Sequence, residues 1–437
     1  MKGKSVQVLP ITRELTDEVS DLIADRLVHE VHTSERKSFR GCRRRWNWVF
    51  QQFYYPQVTA KPLEFGVAFH SAMEVLYDPD TWTWDRELIL NAAIGKFADV
   101  CNEQKTKFLK DGIDSSFLTE KEVEEEYEER IKLGVGMLSY YQRKVASVYD
   151  VGWKPLQVEA EFIVPIQDPD TGNYLFCKCP RCIRTIDIWV ENNLNLDNVS
   201  SIRDHLMDMG LPVCLAGRID MLAEDEHNNL FIVDWKTTAR LARGDVSGQD
   251  RDEFLENDDQ IGSYVMALVR KLQLDVKGFV YVELKKAFPQ EPVQNIARRL
   301  GRLYSVNKNQ AVDYDTYLEC ISKNDTEAYE SGLYDDYLLF LRESGERFHG
   351  RYKILKTPEE LEEIERNLWY EALEMCNPHT VSYPSPGRFN CATCAFRQPC
   401  LEMNRKSDYQ TILDTMFDRR KEHYWVKDRN TDKRGNE

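Results

Sequence analysis

The sequence predicts an α/β fold, a mixed central sheet flanked by helices and carrying helical insertions, and three observations carry that prediction. Val213 to Leu222 and Leu230 to Trp235 are short runs rich in Val, Ile, Leu and aromatics, separated by the wholly polar segment Glu224 to Asn229. That is the pattern of an antiparallel pair. Residues 156–166 (LQVEAEFIVPI) alternate as a strand does. Residues 258–272 (DDQIGSYVMALVRKL) then read as a helix, and 278–286 (GFVYVELKK) as a strand that a right-handed crossover lays parallel to its neighbour.

At 437 residues the chain exceeds one typical domain and has room for a core with one or two additions. Hydrophobic content of 42% with 11% aromatics argues for a folded chain. There is no run of eighteen apolar residues and no basic-then-apolar leader, so the expectation is a soluble, cytoplasmic protein with no membrane contact. A net charge of −16 is unusual for a nucleic-acid binder, yet Arg36, Lys37, Arg40, Arg43, Arg44 and Arg45 cluster within ten residues. No G-x-x-x-x-G-K-[ST] occurs, so unwinding would have to come from a partner. The 11 cysteines are unevenly spaced, which in such a chain favours metal or iron–sulfur ligation over disulfides.

In chain order, residues 1–33 read as a polar helical lead-in. Ser34 then caps a helix running through Cys42 into an aromatic stretch ending near Tyr55. Basic residues interleaved with aromatics grip phosphates and stack bases; the other reading is an aromatic core face with a solvated basic one. Residues 63–77 form an amphipathic helix around His70. Residues 81–150 read as an inserted helical region, a lid over the substrate path, and 297–306 as a strand whose arginines contact DNA. Residues 310–376 read as helical, with Thr357 capping the last helix. The expected division is 1–80, 81–150, a core at 151–290 interrupted by a cysteine-rich insertion at 167–209, a helical region at 291–375, and a cysteine-bearing tail at 376–437.

The chemistry sits in the paired strands. Asp220 and Asp234 interrupt apolar runs, and a carboxylate in a buried strand is costly unless something pairs with it. A divalent cation would do so. Lys236, two residues beyond Asp234, shares its face of the strand. A solvated Asp and Lys on an edge strand is the bland alternative. Glu159 and Glu161 are within reach of such a site by topology, with a salt bridge the favoured role for each.

The residues GRID followed by IVDWKT are similar to the second and third motifs of PD-(D/E)XK nucleases of the RecB-like branch. The resemblance implies a restriction-endonuclease-like core and a metal-dependent DNA exonuclease of recombination, repair or phage DNA processing. It implies Mg2+ or Mn2+ held by His70 (in a Gly-x-x-x-His setting from Gly66), Asp220, Asp234 and the carbonyl of Trp235, with Lys236 assisting the water. It also implies Gln260 and Tyr264 facing DNA; Arg43 and Arg44, from the basic cluster, are read as further DNA contacts. The alternative is a non-cleaving iron–sulfur or zinc DNA-binding protein on the same scaffold.

Two cysteine groups remain. Cys177, Cys179 and Cys182, in FCKCPRC, offer three thiolates to a zinc ion, with His205 or Cys214 available as the fourth ligand; three free thiols is the alternative. Cys391, Cys394 and Cys400 are spaced C-x2-C-x5-C and need a fourth thiolate from elsewhere. Resemblance to AddB-type and CRISPR-associated nucleases implies a [4Fe–4S] cluster taking that ligand from Cys42, which would join the two ends of the domain; Cys376 competes for the role, and zinc is the chemical rival. Cys101 and Cys320 are expected to be buried and unliganded.

Overall fold

Eleven strands form among the described residues, which are 17–57, 61–111, 118–195, 198–241 and 251–419 of the computed structural model. In chain order they are β1 (His29–Val31), β2 (Tyr54–Pro56), β3 (Lys154–Pro165), β4 (Phe176–Cys177), β5 (Leu211–Glu224), β6 (Leu230–Thr238), β7 (Val276–Lys285), β8 (Gln294–Arg299), β9 (Arg302–Tyr304), β10 (His349–Ile354) and β11 (Phe417–Arg419). Seven of them make one mixed sheet in the order β1-β5-β6-β7-β10, with β3 and β4 on the other edge of β5. The antiparallel β5–β6 pair, the strand β3 and the parallel β7 match the sequence expectation, and β3 runs antiparallel to β5.

Strand alternation sends side chains to two separate cores. Leu215, Leu222, Ile232 and Phe279 face a layer built from the helices Thr33–Gly41, Pro180–Asn192, Asp259–Met266 and Pro358–Cys376. Met221, Val233, Trp235 and Val280 face the helices Lys61–Leu76, Arg86–Asp111 and Glu120–Tyr140. The last two were expected as a lid. Instead Phe97, Tyr127 and Leu138 pack with Phe69 and Trp235, so these helices are the second layer of the domain.

Several boundaries differ from expectation for local reasons. The helix expected through Cys42 breaks there, with Cys42 extended at φ −165° between two helical segments. Its aromatics serve the core reading: Trp46 and Trp48 are each 3% exposed. Where one strand was expected at 297–306, β8 and β9 form a hairpin, and Tyr304, Tyr317, Tyr334 and Tyr337 hold three short helices around a small core of their own. Of the arginines expected on DNA here, Arg302 donates to the Leu333 carbonyl; the side chains of Arg298 and Arg299 lie outside the described residues. Strand β10 was not anticipated and closes the sheet antiparallel to β7. At the far end, β11 pairs with β2, and Trp48, Tyr54, Phe396, Leu413 and Phe417 form a core shared by both ends of the chain. No helix among the described residues is long and apolar enough to cross a membrane.

Candidate active site at a strand fork

Strand β5 keeps β3 along most of its length but changes partners on its other edge. It runs parallel to β1 at Val213–Leu215 and antiparallel to β6 at Met221–Glu224. Beyond Val233, β6 stays with β7 and leaves β5. Asp220 and Asp234 stand at this fork, and the Trp235 N–H donates to Asp220 Oδ2 at 2.9 Å. A carboxylate thus takes the place of a ladder carbonyl. Lys236 Nζ lies 2.9 Å from Asp234 Oδ1, as the shared face requires.

Two helices complete the site. The Lys61–Leu76 helix presents His70, whose Nδ1 is 3.2 Å from Asp220 Oδ2. The Asp259–Met266 helix is capped by Asp258, which accepts from the Gln260 and Ile261 N–H groups. That cap aims the Gln260 amide at Asp234 Oδ1, 3.0 Å away. Tyr264, one turn on, was expected to face DNA with Gln260. It is instead 7% exposed and meets Phe162 edge-on at 5.0 Å, beneath the site. The glycine of GRID makes this possible, since a Cβ on Gly217 would come within 2.5 Å of the Phe162 ring and 2.8 Å of the Tyr264 ring.

Glu159 is the site residue whose role the sequence reading undervalued. Ligand atoms of His70, Glu159 and Asp220 all lie within 4.8 Å of one another. Glu159 also pairs with Arg218 at 3.3 Å, so the expected salt bridge is present, but its position serves the site as well. It holds φ +51° in mid-strand, a left-handed backbone that a non-glycine residue adopts at a cost. The register places Val158 on Met221 and Ala160 on Ile219, so Glu159 faces Asp220; no local motif carries that signal. Glu161 keeps its salt-bridge role, with Arg26 at 2.8 Å and Arg218 at 3.0 Å.

The charges are mutually dependent. Burial pushes Asp234 up to about 6, with Lys236 opposing and Asp220 adding to it. Burial, then the Asp220 charge, raises Glu159 to about 7. Asp220 is held below the usual carboxylate range because His70 and Lys236 outweigh its burial. His70 is raised, burial being outweighed by Asp220. Lys236 is raised too, its burial outweighed by Asp234 and Asp220. Asp234 Oδ2 is buried and has no hydrogen-bond partner among the described residues. A buried, unpartnered carboxylate oxygen beside further carboxylates and an imidazole fits a divalent cation held by oxygen and nitrogen donors. Trp235 is anchored by its indole N–H on the Tyr141 hydroxyl at 3.0 Å.

The cysteines separate into two places. Arg44 N–H donates to the Tyr383 carbonyl and Asn390 to the Gly41 carbonyl, which sets Cys42 against the C-terminal segment. Cys42 and Cys391 lie close enough to Cys394 to act on its thiol electrostatically, and Arg44 Nη1 is 3.3 Å from Cys400 Sγ. Arg43 and Arg44, expected on DNA, are committed within the chain: Arg43 pairs with Glu374 and stacks on Phe39, and Arg44 also binds Asn404 at 2.7 Å. Cys376, the rival fourth ligand, is not with this group but within hydrogen-bonding reach of Cys177. Cys177, Cys179 and Cys182 gather around His29. His205, expected as their fourth ligand, is exposed on Glu18 at 2.6 Å, and Cys214 is buried with its Sγ directed at the Pro212 carbonyl. Cys101 is fully buried as expected, whereas Cys320 is only partly so.

An aspartate pair and a lysine at the fork of a mixed sheet, with a carboxylate oxygen left unpartnered, define a candidate divalent-metal centre. The PD-(D/E)XK nuclease superfamily, a group of metal-dependent nucleases, matches residues 33–401, and the chain belongs to it. Comparison with curated proteins finds no significant match.

Proposed function

We propose that this protein is a metal-dependent DNA exonuclease acting on single-stranded or duplex ends, in the cytoplasm, in DNA recombination, repair or phage DNA processing. A helicase or recombinase would supply its substrate. The observation that carries the reading is the buried, unpartnered Asp234 Oδ2 at a fork shared with Asp220, Lys236 and His70. His70, Glu159, Asp220 and Asp234 would hold the cation, with the Trp235 carbonyl as a further ligand. When bound, Mg2+ or Mn2+ supplies Lewis-acid polarisation of the phosphoryl oxygen and a more acidic water. An imidazole among the donors tilts the preference toward Mn2+.

The protein's own groups have distinct tasks. Lys236, beside the carboxylates of Asp234 and Asp220, stabilises negative charge developing on the phosphate and orients the attacking water. Gln260 holds Asp234 through Oδ1, and Oδ2 keeps no hydrogen-bond partner among the described residues. Cys42, Cys391, Cys394 and Cys400 would hold a [4Fe–4S] cluster. Its negative thiolates would sit beside Arg44 and Arg45, and Arg44 would hydrogen-bond to a ligand sulfur.

Release of label from end-labelled single-stranded and duplex DNA with Mn2+ or Mg2+ tests the reading. Lys236→Ala is expected to lower kcat by about 10²–10³-fold, the usual loss for one charge-stabilising donor. Metal-independent cutting, or cutting unchanged by the substitution, would overturn the assignment. DNA binding without cutting by intact, iron-loaded protein would leave the non-cleaving alternative.

A further inference from the structure

Strand β1 and the knuckle around β4 meet at a second set of ligand atoms. His29 Nδ1 lies 3.2 Å from Cys182 Sγ and 3.6 Å from Cys179 Sγ, and those two sulfurs are 3.6 Å apart. With Cys177 added, the ligand atoms all fall within 4.8 Å of one another. Zn–S bonds of about 2.3 Å and Zn–N bonds of about 2.0–2.1 Å require tetrahedral edges of about 3.8 Å between sulfurs and about 3.5 Å between sulfur and nitrogen. The observed edges depart from these by a few tenths of an ångström. An iron–sulfur cube would stand between its cysteines and hold them farther apart, so the spacing speaks for one ion.

The surroundings support the same conclusion. His29 is 1% exposed, its Nδ1 meets these thiols, and its Nε2 is buried without a hydrogen-bond partner among the described residues. A histidine so placed has no role as an ordinary core residue. Cys179 is the N-cap residue of the Pro180–Asn192 helix, so the positive end of that helix lies at the thiols. The buried Arg181, paired with Glu35 at 3.0 Å, is a further cation beside them.

We propose that His29, Cys177, Cys179 and Cys182 form a closed, structural zinc site that clamps β1 to the cysteine knuckle. Four protein ligands leave no open position for substrate or water, so the site holds structure and does no chemistry. Cys376, at the end of the Pro358–Cys376 helix, is an outer partner of Cys177, tying that helix to the same point. The zinc thus fixes β1 at Val213–Leu215, a few residues along β5 from Asp220.

The test is metal and sulfide analysis of full-length protein made in zinc-supplemented medium without oxygen, with X-ray absorption at the zinc edge. One zinc per chain with three sulfurs and one nitrogen is expected. His29→Ala should weaken retention against a chelator by at least about tenfold, and Cys376→Ser should keep the metal. Because a ligand variant can fail to fold, the absorption spectrum of the unaltered protein decides independently. A shell of four sulfurs, absence of zinc, or iron and sulfide lost on Cys179→Ser would each overturn the assignment. None of these readouts depends on nuclease activity.

Discussion

Single residues complete both ligand groups: Glu159 stands with His70 and Asp220, and His29 with Cys177, Cys179 and Cys182. Asp220, Asp234 and Lys236 were legible because their chemistry is packed into two neighbouring strands with a recognisable pattern. Glu159 acts through its register opposite Asp220, and His29 through a parallel pairing with a strand nearly two hundred residues away. Neither relation is local, so no spacing rule reaches it. Glu159→Gln keeps the shape and removes the charge. It is expected to weaken Mn2+ binding by at least about tenfold, read by calorimetry, while leaving the thermal midpoint close to that of the parent. Equal affinity would return Glu159 to a purely electrostatic role with Arg218.

At the scale of the element, the missed strand β10 is instructive. HGRYKI has few apolar residues because it is an edge strand, and edge strands carry charge to discourage pairing with other chains. Its first residue, His349, is buried against the Tyr140 hydroxyl, with Nδ1 3.0 Å away. Burial and Arg351 lower it from 6.5 to about 4. Between those values the unfolded chain binds the proton and the folded one does not, so stability falls as pH drops from about 6.5 to about 4. The contribution is about 3 kcal/mol. In denaturant titrations across that window, His349→Gln should flatten the acid-side loss, the amide still accepting from Tyr140. A slope identical to the parent's would place the acid sensitivity elsewhere. The long helices expected as a lid teach a related point: their charged sequence reflects outer faces, while Phe97 and Leu138 on their inner faces cover the sheet.

Across the whole molecule the two ends of the described chain are fastened to each other. Arg36 joins Ser263 and Glu371, β2 joins β11, and Cys42 lies against the C-terminal cysteines. If the proposed cluster holds that contact, Cys391→Ser with Cys394→Ser should expose residues 388–419 to limited proteolysis several times faster, with the sheet domain surviving as a resistant fragment. Equal rates of cutting would show that the aromatic core of Trp48, Phe396 and Phe417 suffices without it. The order of the cysteine motifs was readable in sequence; their sorting into two places, with Cys376 beside Cys177, needed the fold.

The fork residues and the helices that aim them all fall between Lys61 and Met266, which invites trimming to a compact catalytic fragment. The fastening of the ends argues against it. Such a fragment would lose β1, which borders β5 at the mouth of the fork, and the Pro358–Cys376 helix, against which the Gln260-bearing helix rests. It would present the apolar faces of Val213, Ile261 and Val265 to water and to other copies of itself. An engineer seeking a smaller tool should therefore expect insoluble material from terminal truncation, and look to surface segments such as the small tyrosine-rich unit at 304–341 for what can be removed.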